Sequence, residues 1–157
     1  MTTDSERDLK WHRRFLDMCL HIATWSKDRS TKTGCVIVKD RKILSTGYNG
    51  PTPGIDDENE HYHTRPQKYW YFEHCDRNAI YAAARHGVAL EGSTMYLSGP
   101  PCCDCARGIV MAGLKEVIWP EDNTFEKPGE VYERWKDSVA ASLEILEAGN
   151  VDILRVK

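Results

Sequence analysis

The sequence predicts an α/β domain on three observations. They are a helical repeat of apolar residues near the start, two β-rich runs around a polar turn, and an alternation of helix and strand patterns through the second half. Trp11, Phe15, Met18, Ile22 and Trp25 recur at steps of four and three, which predicts a long amphipathic helix from residue 6 to about 26 with these side chains on its buried face. Cys35-Val-Ile-Val38, then Asp40-Arg41-Lys42, then Ile43-Leu44-Ser-Thr-Gly-Tyr48 read as a hairpin within 33–48.

Residues 49–73 carry Gly-Pro-Thr-Pro-Gly, acidic residues and the aromatic run Tyr69-Trp70-Tyr71-Phe72 without a sustained period. A segment this long without regular structure in a compact domain is commonly functional. Four units follow: a helix over 76–86 closed by Gly87, a strand over 94–98, a helix over 103–112 closed by Gly113, and a strand over 117–119. Such alternation implies parallel strands joined by helical crossovers. A last helix over 131–147, with Trp135, Val139, Leu143 and Leu146 inward, precedes Gly149-Asn150 and a short apolar run over 151–154.

The 157 residues fit a single domain, 1–157, large enough to bury a core without metal staples or disulfides. A hydrophobic fraction of 41% and a charged fraction of 29% are ordinary for a soluble globular chain, and no segment reads as a membrane span. The net charge of -3 and the scattered Lys and Arg leave no basic field, so extended nucleic acid is not an expected partner. The first ten residues lack the basic-then-apolar pattern of a secretory signal, which makes the cytoplasm the expected location. In that reducing compartment six cysteines serve as thiols, metal ligands or buried apolar groups, and their clustering at 102–105 favours metal.

His74 opens one predicted helix, and Pro101-Cys102-Cys103-Asp104-Cys105 opens the next, with Cys102 lying 28 residues after His74. A helix N-terminus offers positive partial charge and free N–H groups that stabilise thiolate over thiol. Cys102 and Cys105 are one turn apart and point the same way, whereas Cys103 is rotated off and is expected to be a buried thiol. An imidazole with two thiolates suits tetrahedral Zn²⁺, and three protein ligands leave a position for water, the mark of a catalytic site. A closed structural site with Cys75, Cys103 or His86 as fourth ligand is the alternative; the upstream histidine and the strand between two helices favour the open one.

His74-Cys75-Asp76 followed by Pro101-Cys102-Cys103-Asp104-Cys105 resembles the H-x-E … P-C-x-x-C pattern of zinc-dependent nucleobase deaminases. The stretches 30–38, 47–50, 77–81 and 105–109 are similar to those of the cytidine and deoxycytidylate deaminase family, so the resemblance spans nearly the whole chain. It implies a cytidine deaminase-like three-layer α/β/α sandwich with a mixed five-stranded sheet, and a homo-oligomer. It also implies a zinc-dependent hydrolytic deaminase of a free cytosine nucleotide, dCMP to dUMP with release of ammonia. Water activated by Zn²⁺ attacks C4, and a carboxylate carries protons between water, N3 and the leaving amine. By the same resemblance Asn49 contacts the sugar, Ser98 and its neighbours contact the base through backbone groups, and Asn78 faces the same pocket. Lys32, Arg65 and Lys68 are candidates for a phosphate anchor, since no phosphate-cradling glycine-rich loop is present.

Three departures stand out. Asp76 occupies the glutamate position, which makes it the expected proton shuttle with about 1.5 Å less reach, and a misplacement of roughly 1 Å lowers rates about a hundredfold. The shorter acid admits a deaminase fitted to it, a deaminase of another amino-bearing base such as a modified pyrimidine or purine, or a catalytically weak zinc and nucleotide-binding protein. Retention of an acid favours the first two. Gly99 precedes Pro100-Pro101 where relatives carry bulkier residues, which predicts a wider or reshaped wall, and Pro51-Thr-Pro53-Gly54 alters the loop after Asn49. Glu73 reads as a surface carboxylate, His61 and His63 as polar loop residues rather than a second metal site, and the aromatic run 69–72 as core or subunit contact.

Overall fold

In the computed structural model, which describes residues 6–157, a five-stranded sheet of order β2-β1-β5-β6-β7 lies between one helix and three. The first five residues of the segment read for a targeting signal lie outside the described residues. Helix α1 (Glu6–Ala23) leads into β1 (Gly34–Lys39) and β2 (Lys42–Tyr48). The second half runs α4 (Cys75–Arg85), β5 (Thr94–Leu97), α5 (Cys103–Met111), β6 (Glu116–Pro120), α6 (Glu130–Ala148) and β7 (Asp152–Val156). β1 pairs antiparallel with both β2 and β5, while β5, β6 and β7 run parallel, so the sheet is mixed as expected. Among the described residues, no helix is long and apolar enough to cross a membrane.

Local chemistry explains these elements. Asp40 and Arg41 both take positive φ, 51° and 60°, the two-residue turn whose twist matches that of paired strands. Cys35, Val36, Ile37 and Val38 are all buried because β1 is internal and covered on both faces, which is why the run is continuously apolar rather than alternating. Gly87 and Gly113, with φ of 68° and 79°, end the two central helices in the left-handed conformation their positions predict.

The core has two halves. One, built on Ile37, Met95, Leu97, Val117 and Trp119 of the sheet, packs against α4, α5 and α6; the other, with Val36, Val38, Tyr96 and Ile118, packs against α1. α1 differs from the sequence expectation, because its buried stripe is Phe15, Leu16, Cys19, Ile22 and Ala23, while Met18 and Trp25 are exposed and the helix stops at Ala23. The physical reason is contact distance. A Cβ on Gly34 would lie 2.0 Å from the Cys19 carbonyl oxygen, so helix and strand touch through backbone and only a small residue such as Cys19 fits at the centre.

Gly47 does the same on the opposite face, where an added Cβ would meet the Cys75 carbonyl oxygen at 2.2 Å and the Ala79 nitrogen at 2.6 Å. The N-terminal turn of α4 is thereby laid directly on β2. Segment 49–73 is more ordered than expected: β3 (Gly50–Pro51) pairs antiparallel with β4 (Phe72–Glu73), and single-turn helices α2 (Glu60–His63) and α3 (Lys68–Tyr71) lie between them. Because the Gly47 contacts are to backbone, Gly47→Ala should lower the melting temperature by on the order of 10 °C, as overpacking of a few kcal/mol does in a chain of this size. A thermal melt checks this, and an unchanged midpoint contradicts it.

Candidate metal centre and adjoining cavity

Two helix N-termini meet at the C-terminal end of β5, beside the switch from antiparallel to parallel pairing, where open α/β sheets form crevices. His74 is the N-cap of α4 and Cys102 the N-cap of α5; both have extended backbone and neither side chain caps its own helix, which leaves both free to converge. His74 Nδ1 lies 3.3 Å from Cys102 Sγ and 3.5 Å from Cys105 Sγ, and the three ligand atoms all fall within 4.8 Å of one another. No other such group of three or more His, Cys, Asp or Glu side chains occurs among the described residues.

The expected ligands are thus brought together, and the alternatives for a fourth ligand are not. Cys75 is buried in the core, half-buried Cys103 accepts a hydrogen bond from Ser138 Oγ, and His86 caps the far end of α4. One imidazole nitrogen and two sulfurs, without a fourth protein ligand, are a donor set that fits Zn²⁺ with one position open. His61 and His63 gather no third ligand: His61 is exposed, and His63 Nε2 lies 2.6 Å from the Asp57 carbonyl oxygen.

The electrostatics suit a metal centre. Hydrogen bonding from Cys105 and then from His74 outweighs burial and brings Cys102 down to about 4, while burial holds Cys105 well above the usual thiol range. Burial, the largest single influence, disfavours the charged His74 ring, but the hydrogen bond to Cys102 together with the charges of Cys102 and Asp76 outweighs it and raises the imidazole. Asp76, 3% exposed, is raised by burial and then by the nearby Cys102 charge, and its Oδ1 stands 2.7 Å from Cys105 Sγ. The shorter acid therefore does reach the ligand cluster. Glu73 is not the surface carboxylate expected: half-buried on the cavity wall, it accepts from His74 N at 3.0 Å and Arg77 Nε at 2.5 Å.

A cleft enclosing about 840 Å³, its mouth included, opens onto these groups. Asn49 and Ser98 line it, and Asn78 does not, since its Nδ2 donates to the Tyr48 carbonyl 2.7 Å away. Asn49 is heavily engaged: its Nδ2 donates to Asp28 Oδ2 and Thr31 O, and its Oδ1 accepts from Thr33 N at 2.8 Å. Ser98 Oγ accepts from Gly34 N at 3.1 Å. Of the phosphate candidates, Arg65 and Lys68 line the cleft and Lys32 does not. Lys68 is buried in an ion pair with Asp28 at 2.7 Å.

The aromatic run is neither core nor a bare surface patch, for Tyr69 and Phe72 form cavity wall while Trp70 is 70% exposed. Phe125, Arg134 and Trp135 also line the cavity, the Trp135 ring meeting His74 edge-on at 5.6 Å. Sequence reasoning missed Phe125 and Arg134, and read Trp135 only as inward-facing. Its place in the inward stripe of α6 was the one available signal.

Asp28 also accepts from Ser30 N and Thr31 N, at 2.8 and 3.1 Å. Burial opposes its ionisation, yet the Lys68 hydrogen bond and the backbone donors carry it below its ordinary 3.8. A carboxyl lowered by folding stabilises the fold above its ordinary value and ceases to do so as pH falls through the folded value. Asp28→Asn should therefore cost about 3–5 kcal/mol at neutral pH by stranding a buried ammonium. The gap in melting temperature from wild type should shrink below pH 3.8; a gap independent of pH would contradict this.

A family model described as the cytidine and deoxycytidylate deaminase zinc-binding region matches residues 9–121. The "Uncharacterized deaminase in luxG 3′ region" of Aliivibrio fischeri is 33% identical over 144 residues, covering 92% of each chain. The deoxycytidylate deaminase of Enterobacteria phage T2 is 31% identical, covering 73% of this chain and 81% of its own. Among solved structures, the dCMP deaminase of cyanophage S-TIM5, crystallised with dCMP and dUMP, superposes with a TM-score of 0.73 at 22% identity, over 96% of this chain and 98% of that one, and establishes likeness of fold.

Proposed function

Since the chain belongs to the cytidine and deoxycytidylate deaminase family, we propose that it hydrolyses dCMP to dUMP and ammonia as a zinc-dependent enzyme, with Asp76 as proton carrier. The observation that carries this reading is Asp76 Oδ1 at 2.7 Å from a ligand sulfur, at the cavity that receives the base. His74, Cys102 and Cys105 would hold the Zn²⁺, which when bound supplies Lewis-acid activation of water. Asp76 takes the proton of the attacking water, returns it to N3 of the base and serves the departing amine. A buried carboxyl 2.7 Å from a ligand sulfur stands close enough to the metal centre to exchange protons there.

Asn49, knitted to Asp28, Thr31 and Thr33, supports the sugar side of the cavity, and the 98–101 backbone supports the base. The phosphate falls to Arg65 and Arg134, because Lys68 is buried in a 2.7 Å pair with buried Asp28, whereas among the described residues Arg134 is held only by the exposed Glu130 at 3.5 Å. The enzyme works in the cytoplasm as a homo-oligomer; the exposed apolar side chains of Trp70, Tyr81 and Met111 leave surface for a second copy to cover.

Metal-loaded protein should release ammonia from dCMP and shift its ultraviolet spectrum from cytosine to uracil; no turnover at high enzyme concentration would overturn the reading. Asp76→Asn should lower kcat by roughly 10²- to 10⁴-fold with zinc content unchanged, and wild-type turnover by that variant would remove Asp76 from its role. Loss of one charge-assisted contact in Arg134→Gln should raise KM for dCMP about tenfold or more while leaving deoxycytidine unaffected, which steady-state kinetics on the two substrates reads directly.

A further inference from the structure

We propose that Phe125, seated on Gly99, sets the size limit on the base that the cavity admits. The proposal rests on the deamination of a cytosine nucleotide and adds the residue that selects among such bases. Gly99 stands three residues before Cys102, so the segment that carries a metal ligand also forms a cavity wall. A Cβ at position 99 would lie 2.6 Å from Phe125 Cδ2 and 3.1 Å from Cε2. The phenyl ring thus occupies the space that a side chain on residue 99 would fill, and of the wider or reshaped wall expected the structure has the reshaped one, filled by a ring from a remote loop.

That ring is held in place. Asn123 Oδ1 accepts from Phe125 N and Glu126 N at 3.0 and 3.1 Å. The Glu126 carboxylate accepts from Asn123 Nδ2 at 2.8 Å, from Trp119 Nε1 at 2.9 Å, and from Arg155 Nη2 and Nε at 2.7 and 2.9 Å. The turn bearing Phe125 is therefore pinned to β6 and β7 before any ligand arrives, the arrangement a selective wall requires. The segment Ser98, Gly99, Pro100 and Pro101 carries only small side chains into the cavity lining, and Phe125 is the bulky group packed directly on it at Gly99. In a cytosine ring N3 and C5 flank C4 on opposite sides, so a base whose N3 turns to Asp76 presents its C5 edge away from that carboxyl, and on this proposal Gly99 and Phe125, which line the same cavity, stand on that side. A 5-substituent meets the ring.

The test uses the metal-loaded full chain as wild type, Phe125→Ala and the milder Phe125→Leu. The readouts are kcat/KM for dCMP and 5-methyl-dCMP, and binding of dUMP and 5-methyl-dUMP followed by tryptophan fluorescence. Removing the ring should shift both ratios toward the methylated ligand by about tenfold or more, as a methyl group gains or loses a pocket. Unchanged ratios in a folded Phe125→Leu protein would overturn the proposal. Thermal melts test the seat without any substrate: Gly99→Ala should lower the midpoint in wild type and much less in the Phe125→Ala background, and equal lowering would overturn it. A wild type that binds these nucleotides but releases no ammonia would sink the deamination reading instead, so the two failures are distinguishable.

Discussion

Helix and sheet meet here through bare backbone at two glycines, and the site depends on the second of them. Gly34 lets α1 settle on one face of the sheet at Cys19, and Gly47, on the neighbouring strand, lets the first turn of α4 settle on the other at Cys75 and Ala79. His74 and Asp76 flank Cys75, so the depth at which α4 rests on β2 sets the height of both side chains above the sheet. A methyl group at position 47 would lift that turn, and with it the imidazole and the carboxyl, by a distance that matters to proton transfer.

The second half of the metal centre is fixed by topology. β5 pairs with β1 on one side and β6 on the other, and its C-terminal end runs straight into the wall and then into α5. Two helices lying side by side thus present their N-termini to one point, where the exposed N–H dipoles favour anionic ligands. Around that point charge is managed by proximity. Arg77 answers Glu73, Lys68 answers Asp28, and Asp76 remains as the buried acid that no cationic side chain among the described residues holds in an ion pair. The carboxyl left over is the one that stands over the ligands.

Much of this was legible in the sequence, because helices and strands announce themselves by period and the metal centre by three residue types at helix starts. The hairpin, the glycine-ended central helices and the convergence of His74, Cys102 and Cys105 follow from local pattern, and the mixed five-stranded sheet from the family resemblance. What was hidden depends on pairs far apart in the chain. The stripe of α1 was misplaced because periodicity does not show that Gly34 demands a small partner at Cys19. Glu73 was read as a surface group because its answer, Arg77, becomes visible only once α4 is built. The group that reshapes the cavity wall was hidden for the same reason: Gly99 and Phe125 are 26 residues apart, and neither announces the other.

β7 is an edge strand, bonded to β6 alone, and its Arg155 grips the carboxylate that organises the turn under Phe125. Strands paired on one side only open locally at lower free energy than the interior of a sheet. Each such opening removes the two Arg155 hydrogen bonds from Glu126 and leaves those of Asn123 and Trp119, so the turn under Phe125 keeps part of its support while its hold on the sheet loosens. An edge strand far from the metal ligands in sequence thereby contributes to how constant the shape of the cavity is over time.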